Sequence, residues 1–460
     1  MADLALEGTP IPDLQIVKLT VHGDARGWFK ENWQLQKLEE AGLMRFRPVQ
    51  NNVSYNQKKG TTRGIHAEPW DKYVSVTSGS VFGAWVDLRE GPNFGKSFTY
   101  IIDPSVAVFV PRGVANSFQT LEDDTTYSYL VNGHWSPDAK YTFVNLADPQ
   151  LAIAWPIALE ECEISEKDRG HPNLDDVEPV PRLKTVILGA EGQLGAELSK
   201  VFPNAEHLSR EGLNLEDPKQ LAEYDWSGAE RIINAAAYTN VDNAETPEGR
   251  AEAWKVNAVS VGYLVDLCLR HQIEFVQISS DYVFDGIKET PYSEEDTPSP
   301  VNVYGSTKAA ADLLVARLER HFIVRTSWLL SSRSSFVRAV KANANSKLEM
   351  KVVDDQVGRP TFIEDLAKFI KHLVDTNKTA GIYNFSGRGS TTNWYLLARN
   401  LYSAYGADPS LVSPISSDDY MKGRIAARRP ATSSLNTTKA SQAGFSAGFW
   451  ADELAILGGD

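Results

Sequence analysis

The chain has 460 residues, 42% hydrophobic and 23% charged, a globular composition too long for one ordinary core, so two or three domains are expected. A formal net charge of −14 argues against nucleic acid or an anionic membrane as the main partner, although a local basic pocket can still exist. Cys162 and Cys268 lie too far apart for a zinc spacing, MADLALEGTPIPDL has no basic, apolar leader character, and no run reaches the ~18 apolar residues of a membrane span, so a cytoplasmic protein is expected.

Residues 1 to about 170 read as short runs rich in β-branched and aromatic residues, broken by Gly and Pro turns, the pattern of an all-β sandwich or barrel. GDARGWFKENW supplies Asp24, Arg26 and Glu31, and only NWQLQKLEEAGL after it reads as a helix. VQNNVS adds Gln50 and Asn52, and TTRGIHAEPWDKYVSV adds Arg63, His66 and Lys72. Several cations in a mostly acidic domain suggest an anionic ligand such as a diphosphate. His66-Ala67-Glu68 lacks the H-x-H of metal-binding β-barrels, so no metal is expected; His66 is then a core histidine or a base. Arg63 stands three residues before His66, and strict strand alternation puts the two on opposite faces unless a bulge intervenes.

GHPNLDDVEPVPRL, with three prolines, several acids and little apolar periodicity, reads as a linker; the expected boundaries are a first domain over 1–177, a linker over 178–183 and a second domain over 184–460. KTVILGAEGQLGAELSKVF then reads as a buried strand, a glycine turn and an amphipathic helix, and the later runs repeat a βαβ rhythm that predicts a doubly wound parallel sheet. Gly189, Gly192 and Gly195 fit a dinucleotide turn: the first for tightness, the second for backbone approach to a pyrophosphate, the third for close helix packing, with Gln193 and Leu194 opening the helix. Where an NAD site wants an acid, the chain has Ser209 and Arg210, and Arg210 suits a 2′-phosphate, which tilts the reading to NADP(H) over NAD(H). In VNVYGSTKAA, Tyr304 and Lys308 share a helix face at i, i+4. A phenol of ordinary pKa is a poor acid at neutral pH unless a cation such as Lys308 lowers it; Ser280, in QISSDYVFDG, can hold a carbonyl beside it.

These second-half residues resemble the extended short-chain dehydrogenase/reductases. INAAAYTNVDNAE, SSDYVFDG, YGSTKAAAD, VRTSWLLS, VVDDQVGRPT and RRPATSSL are similar, within that group, to dTDP-4-dehydrorhamnose reductase over nearly all of 184–457. The resemblance implies a Rossmann fold with a small substrate-binding subdomain and hydride transfer to a 4-keto sugar nucleotide. Tyr304 would be the acid, assisted by Lys308 and Ser280, and Asn234, Ala235 and Ala236 would line the cofactor path. Asp281, Tyr282 and Trp328 would contact the sugar and Arg429 the nucleotide side; serine stands at 280 where the family usually has threonine.

In the first half, DARGWFKE, QNNVSYNQKKGTTRGIHAEP, VFGAWVDLREGPNFGKS, VFVPRGVANSF, WSPDAKYTF, DPQLAIAWP and ISEKDRGHP resemble dTDP-4-dehydrorhamnose 3,5-epimerase, a cupin-like jelly roll without metal, over about residues 10–177. That resemblance makes His66 the base, Asp168 its orienting carboxylate and Tyr129 the acid on the opposite sugar face. Arg63 and Lys72 would stabilise enolate charge. Arg26, Gln50 and Asn52 would help hold the nucleotide, Glu31 would sit on the substrate side, and Trp135 would stack on the thymine. Asn116 replaces a family histidine, and one epimerisation or two is left open. Together the halves imply a bifunctional enzyme that epimerises and then reduces a dTDP-linked 4-keto-6-deoxy sugar to dTDP-L-rhamnose. Alternatives are another 6-deoxyhexose or a non-catalytic regulatory subunit. Both families imply a homodimer; some such reductases hold Mg²⁺ at the dimer contact, for which the sequence shows no ligand cluster.

Overall fold

A computed structural model describes residues 4–43, 46–136, 139–226, 228–376 and 378–458; Pro137 and Asp138 of WSPDAKYTF lie outside them. The chain divides into two compact units, Met1–Arg182 and Leu183–Asp460.

The first unit contains β1 (Leu4–Gly8), β2 (Gln15–Leu19), β3 (Val21–Asp24), β4 (Gly27–Lys30), α1 (Leu35–Glu40), β5 (Gln50–Asn56), β6 (Thr62–Ala67), β7 (Lys72–Ser78), β8 (Val81–Asp87), β9 (Ser97–Ile102), β10 (Val106–Val110), β11 (Val114–Thr120), β12 (Thr125–Val131), β13 (Thr142–Phe143) and α2 (Glu166–Arg169). One antiparallel sheet has the order β1-β2-β10-β7-β12-β5 and a second β13-β6-β11-β8-β9. Period-two alternation sends Val74, Val76, Val108 and Tyr127 of the first, with Val81, Trp85, Val114 and Phe118 of the second, into one shared core. The α1 helix buries Leu38 against the other face of the first sheet, beside Tyr73 and Phe109.

The stretch expected to be a linker is a strap on this unit. Leu174 and Val177 fill a core with Ile65, Ala67 and Val86 on the back of the second sheet. The Val180 N–H donates to the Leu88 carbonyl at 2.7 Å, and the Arg182 Nε donates to the Glu90 carbonyl at 2.7 Å. Prolines keep the helix there to one 3-10 turn, Leu174–Asp176, and the ladder to one bridge, Arg89 with Val180, but two spaced aliphatics suffice to dock the chain on an apolar face.

The second unit opens with β14 (Lys184–Leu188), α3 (Gln193–Val201), β15 (Glu206–Leu208), α4 (Pro218–Glu223), β16 (Ala229–Asn234), α5 (Pro247–Trp254), α6 (Ser260–His271), β17 (Glu274–Ser280), α7 (Val303–Val315) and β18 (His321–Thr326). Its main sheet is parallel in the order β15-β14-β16-β17-β18, with the strand Gly381–Phe385 at the edge. Val186 and Leu188 face a core containing Leu264, Val265 and Val315, whereas Ile187 faces one containing Leu198, Phe369 and Ile370; helices thus cover both faces. A third apolar cluster, with Trp328, Val337, Leu397, Leu401 and Trp450, forms a smaller body outside the sheet.

Candidate active sites

In the first unit the geometry begins with an irregularity in β6. His66 pairs with Asn116 and Arg63 with Phe118, so the register against β11 shifts between them. Three steps on one strand thus face two on the other, and strict alternation no longer separates Arg63 from His66. Gly64 permits this: its φ is +125° and an added Cβ would lie 2.5 Å from the Ser117 Cβ.

Asp168 is brought to His66 by α2, whose N-cap Ser165 accepts from the Asp168 N–H at 3.1 Å. His66 Nε2 lies 2.9 Å from Asp168 Oδ1, and the carboxyl is 7% exposed. Burial pushes its pKa up, but the hydrogen bond and charge of His66 outweigh this and hold it below the usual value. His171, one turn further on, was not singled out by sequence reasoning. Its Nε2 is 3.8 Å from the same Asp168 oxygen, and its ring stacks on Phe143 at 4.7 Å and meets the His66 ring edge-on at 5.3 Å. Among the described residues, His66, Asp168 and His171 form the group whose donor atoms lie close enough to share a metal ion, all within 4.8 Å of one another.

Tyr129 lies on the neighbouring sheet, directly opposite Asn52. Gln50 donates to Asn52 at 2.8 Å and accepts from the Trp135 N–H at 3.2 Å, so this polar edge gathers Gln50, Asn52 and the exposed Trp135. Lys72 Nζ sits 5.4 Å from the centre of the Tyr129 ring. Burial raises the Tyr129 pKa, with Tyr141 adding to the rise and Arg63 opposing it. Glu68, which the sequence reading passed over, is ion-paired with the buried Lys72 and accepts from Trp70 Nε1 at 3.1 Å. Lys72 therefore sits against a counter-charge, and burial pushes its pKa down to about 7. Arg26 and Glu31 do not join these residues. Arg26, 90% exposed on the β3–β4 hairpin, pairs with Asp24, and Glu31 accepts from Lys37 at 2.6 Å.

In the second unit, Gly189 adopts φ +73°, where a Cβ would come within 2.7 Å of the Ala236 backbone, and a Cβ on Gly195 would lie 2.1 Å from the Gly189 carbonyl oxygen. The turn and its helix close tightly, and the free amides of the first turn of α3 point out of the fingerprint. Two clefts flank it. A smaller one is lined by Gly189, Gly192, Ser209, Arg210 and Glu216. Arg210 is ion-paired with Glu216 at 2.5 Å, and Lys255 reaches the same carboxylate at 3.2 Å, so its charge too is shared. A larger one, about 720 Å³, holds Gln193, Leu194, Ala235, Ala236, Ser280 to Tyr282, Tyr304, Lys308 and Trp328. Asn234 is not at either wall: it is buried, donates to Gln277 at 2.9 Å, and accepts from the Ala236 N–H at 3.2 Å, so it shapes the turn from behind.

Tyr304 and Lys308 project from the start of α7, whose N-cap Asn302 accepts from the Gly305 N–H at 2.7 Å. Ser280 ends β17, donates to Asp281 Oδ1 at 3.0 Å and accepts from the Tyr282 N–H at 3.1 Å. The expected lowering of Tyr304 by Lys308 is not what this arrangement gives. Burial, with Asp281 and Tyr282, raises the phenol pKa, opposed by a hydrogen bond with Ser280, while the Lys308 ammonium donates to the Ile278 carbonyl at 2.6 Å. Burial lowers Lys308 to about 8, against the pull of Asp312, and raises Asp281 to about 7. Trp328 stacks on Trp394 at 4.0 Å. Arg429 pairs with Asp242 at 2.8 Å and draws down the Tyr282 hydroxyl, which burial nevertheless pushes up to about 12. Asn257 was also missed: a π-helical turn, Lys255–Val259, turns it inward, where it donates to the Tyr238 carbonyl at 3.1 Å and to Thr307 at 3.0 Å, on the helix of Tyr304.

Comparison with known proteins gives the same division. Residues 8–176 match the family model for dTDP-4-dehydrorhamnose 3,5-epimerase, and residues 183–457 that for the RmlD substrate binding domain. The chain is 52% identical over 177 residues to a protein RmlC homolog of Streptococcus pyogenes, covering 37% of this chain and 89% of that protein. It is 35% identical over 275 residues to a dTDP-4-dehydrorhamnose reductase of Burkholderia thailandensis, covering 55% of this chain and 90% of that one. Among solved structures, a dTDP-4-dehydrorhamnose reductase from Bacillus anthracis, in complex with NADP, superposes with TM-score 0.56 at 31% identity, covering 60% of this chain and 98% of the other. The chain belongs to both families: it is a fusion of a dTDP-4-dehydrorhamnose 3,5-epimerase domain with a reductase of the RmlD family.

Proposed function

We propose that this chain carries out two consecutive steps on one nucleotide sugar: 3,5-epimerisation of dTDP-4-dehydro-6-deoxy-D-glucose, then NADPH-dependent reduction of the C4 ketone to dTDP-L-rhamnose. The observation that carries this is the pairing, in one polypeptide, of a His66–Asp168 dyad with Tyr129 in one unit and Ser280, Tyr304 and Lys308 around one cleft in the other. The first unit, over 1–177, is read as the cupin-like jelly roll, and 184–460 as the Rossmann domain with its substrate-binding subdomain.

The C4 ketone makes the protons on C3 and C5 acidic. His66, held by Asp168 through Nε2, takes such a proton on its other ring nitrogen. The electron pair moves into an enolate, whose oxygen carries the charge that Arg63 and Lys72 would stabilise. Tyr129 returns a proton to the opposite face, and the phenolate left behind is reprotonated from solvent.

In the second unit, the fit to a dinucleotide is tested by the glycine turn, where a Cβ at Gly189 or Gly195 would strike backbone. Gly192, Gln193 and Leu194 would hold the pyrophosphate, and Ser209 and Arg210 the 2′-phosphate, so NADPH is the cofactor we assign. When bound, it supplies the hydride to C4. Tyr304 gives its proton to the resulting alkoxide, Ser280 holds that oxygen, and Lys308 keeps positive charge below them. Asp281, Tyr282 and Trp328, which line the larger cleft, would contact the sugar, and Arg429 the nucleotide side.

The exposed Trp28 and Phe29 on the β3–β4 hairpin, with Val53 and Tyr55 on edge strand β5, support the homodimer both families imply. The buried free thiols of Cys162 and Cys268, and no described helix long and apolar enough to cross a membrane, support a cytoplasmic place. The test is incubation of the purified chain with the 4-keto substrate and NADPH, followed by NMR of the product. The reading requires dTDP-L-rhamnose; a different hexose, or no oxidation of NADPH, overturns it.

A further inference from the structure

We propose that His66, Asp168 and His171 form a binding site for a borderline-soft divalent cation of the Zn²⁺ type, and that its occupancy switches off the epimerase half while the reductase half keeps working. The inhibitory part rests on the reading of His66 as the base; the binding part does not.

The site comes from geometry that sequence spacing hides. His66 and Asp168 meet across a sequence separation of 102 residues, and His171 stands three positions beyond Asp168. One carboxylate oxygen, Asp168 Oδ1, serves both imidazoles, 2.9 Å from His66 Nε2 and 3.8 Å from His171 Nε2. An ion with metal–ligand bonds of about 2.0–2.1 Å sets neighbouring tetrahedral ligand atoms roughly 3.4 Å apart, a spacing that those two distances bracket. The other carboxylate oxygen is occupied from behind by the Gly64 N–H at 3.5 Å, which leaves Oδ1 facing the imidazoles.

His171 is the independent observation. It is 8% exposed, yet neither ring nitrogen makes a full hydrogen bond, the Gly64 backbone reaching it only weakly, and burying such atoms is costly unless something meets them. Phe143 fixes the His171 ring by stacking. The His66 side chain is 31% exposed, so the fourth ligand position opens outward and admits water, as in sites that exchange their metal. Two imidazoles and one carboxylate favour Zn²⁺, Co²⁺ or Ni²⁺ over Mg²⁺ or Ca²⁺, which prefer oxygen. A cation on His66 Nε2 breaks the bond to Asp168 and ties the ring to the ion, so the imidazole no longer serves as the base.

The experiment titrates the full-length, chelator-treated protein with Co²⁺ and records the visible d–d absorption, with Zn²⁺ as competitor and Mg²⁺ as control. In parallel, epimerisation is read as deuterium incorporation into the sugar and reduction as NADPH oxidation on dTDP-4-dehydro-L-rhamnose. Expected are one Co²⁺ per chain with the intense band of low coordination, displacement by Zn²⁺ but not Mg²⁺, and at least a tenfold loss of exchange at saturation with reduction unchanged. His171→Asn should bind Co²⁺ at least tenfold more weakly and keep exchanging deuterium at Zn²⁺ concentrations that silence the parent. Should that variant not fold, the Zn²⁺ competition on the parent still decides. No cobalt band, a band equally strong in His171→Asn, or Zn²⁺ slowing both halves alike overturns the proposal. A metal-free protein that binds Co²⁺ but never exchanges deuterium would sink the epimerase reading and leave the metal site standing.

Discussion

Replacing Asp168 by Asn tests the first half most sharply, because it alters one charge and almost no volume. The carboxylate is 7% exposed and bonds to His66 Nε2 at 2.9 Å. A hydrogen bond to a charged group contributes about 1.5–3 kcal/mol, and this one strengthens as His66 becomes an imidazolium on accepting the sugar proton. The amide keeps the contact but loses the charge that stabilises that cation. At ~1.4 kcal/mol per factor of ten, the expected loss in kcat/KM for epimerisation is about 10–150-fold. The assay is deuterium exchange at C3 and C5 of dTDP-4-dehydro-6-deoxy-D-glucose in D₂O, followed by NMR. NADPH oxidation on the already epimerised ketone serves as the internal control for folding and should stay at the parent's level. Exchange within twofold of the parent would refute the reasoning, because a carboxylate whose charge does not matter is not stabilising an imidazolium.

In the second half, Tyr304→Phe should cut reduction by about 10²–10⁴-fold, the scale of a lost general acid, and leave the epimerised ketone to accumulate in the NMR spectrum. Gly195→Ala places a methyl 2.1 Å from the Gly189 carbonyl oxygen, so NADPH binding, measured by fluorescence titration, should weaken by at least tenfold or be lost. Because burial holds Lys308 at about 8, NADPH oxidation should fall as pH rises through that value and be steady below it; a profile flat to pH 10 contradicts the assignment.

What the sequence made legible follows from how local each constraint is. The glycine turn could be read because each of its roles is a clash with atoms a few residues away, or with the next strand, that any side chain would cause. Tyr304 and Lys308 could be read because helical spacing alone puts them on one face. The His66–Asp168 contact had no such handle: no periodicity links partners 102 positions apart, and only resemblance to a family supplied it. Compensating charges were the blind spot. Glu68 beside Lys72 and Glu216 beside Arg210 look like ordinary surface acids in a chain with 60 of them, and only the folded geometry pairs them with the cations. The same holds for the strap after residue 170, whose Leu174 and Val177 are too sparse to show periodicity yet reach an apolar face.

Glu68 carries a consequence of its own. A buried ammonium is unfavourable, and burial pushes Lys72 down to about 7; the Glu68 carboxylate ion-paired with it opposes that fall. Glu68→Gln keeps the shape and removes the counter-charge. At the acid end of the profile, where Lys72 is protonated in both proteins, exchange should lie close to the parent's rate. Without the counter-charge the buried ammonium titrates at lower pH than in the parent, so the alkaline loss of exchange should set in at lower pH in the variant. Lys72→Met, which has no charge to lose, should be slow and insensitive across the same range. The discriminating quantity is therefore the alkaline limb in a pH profile of deuterium incorporation, since a merely structural role for Glu68 would lower the rate equally at every pH. If the Glu68→Gln profile runs parallel to the parent's, Lys72 is not the group that meets the enolate, and Arg63 must meet it without help.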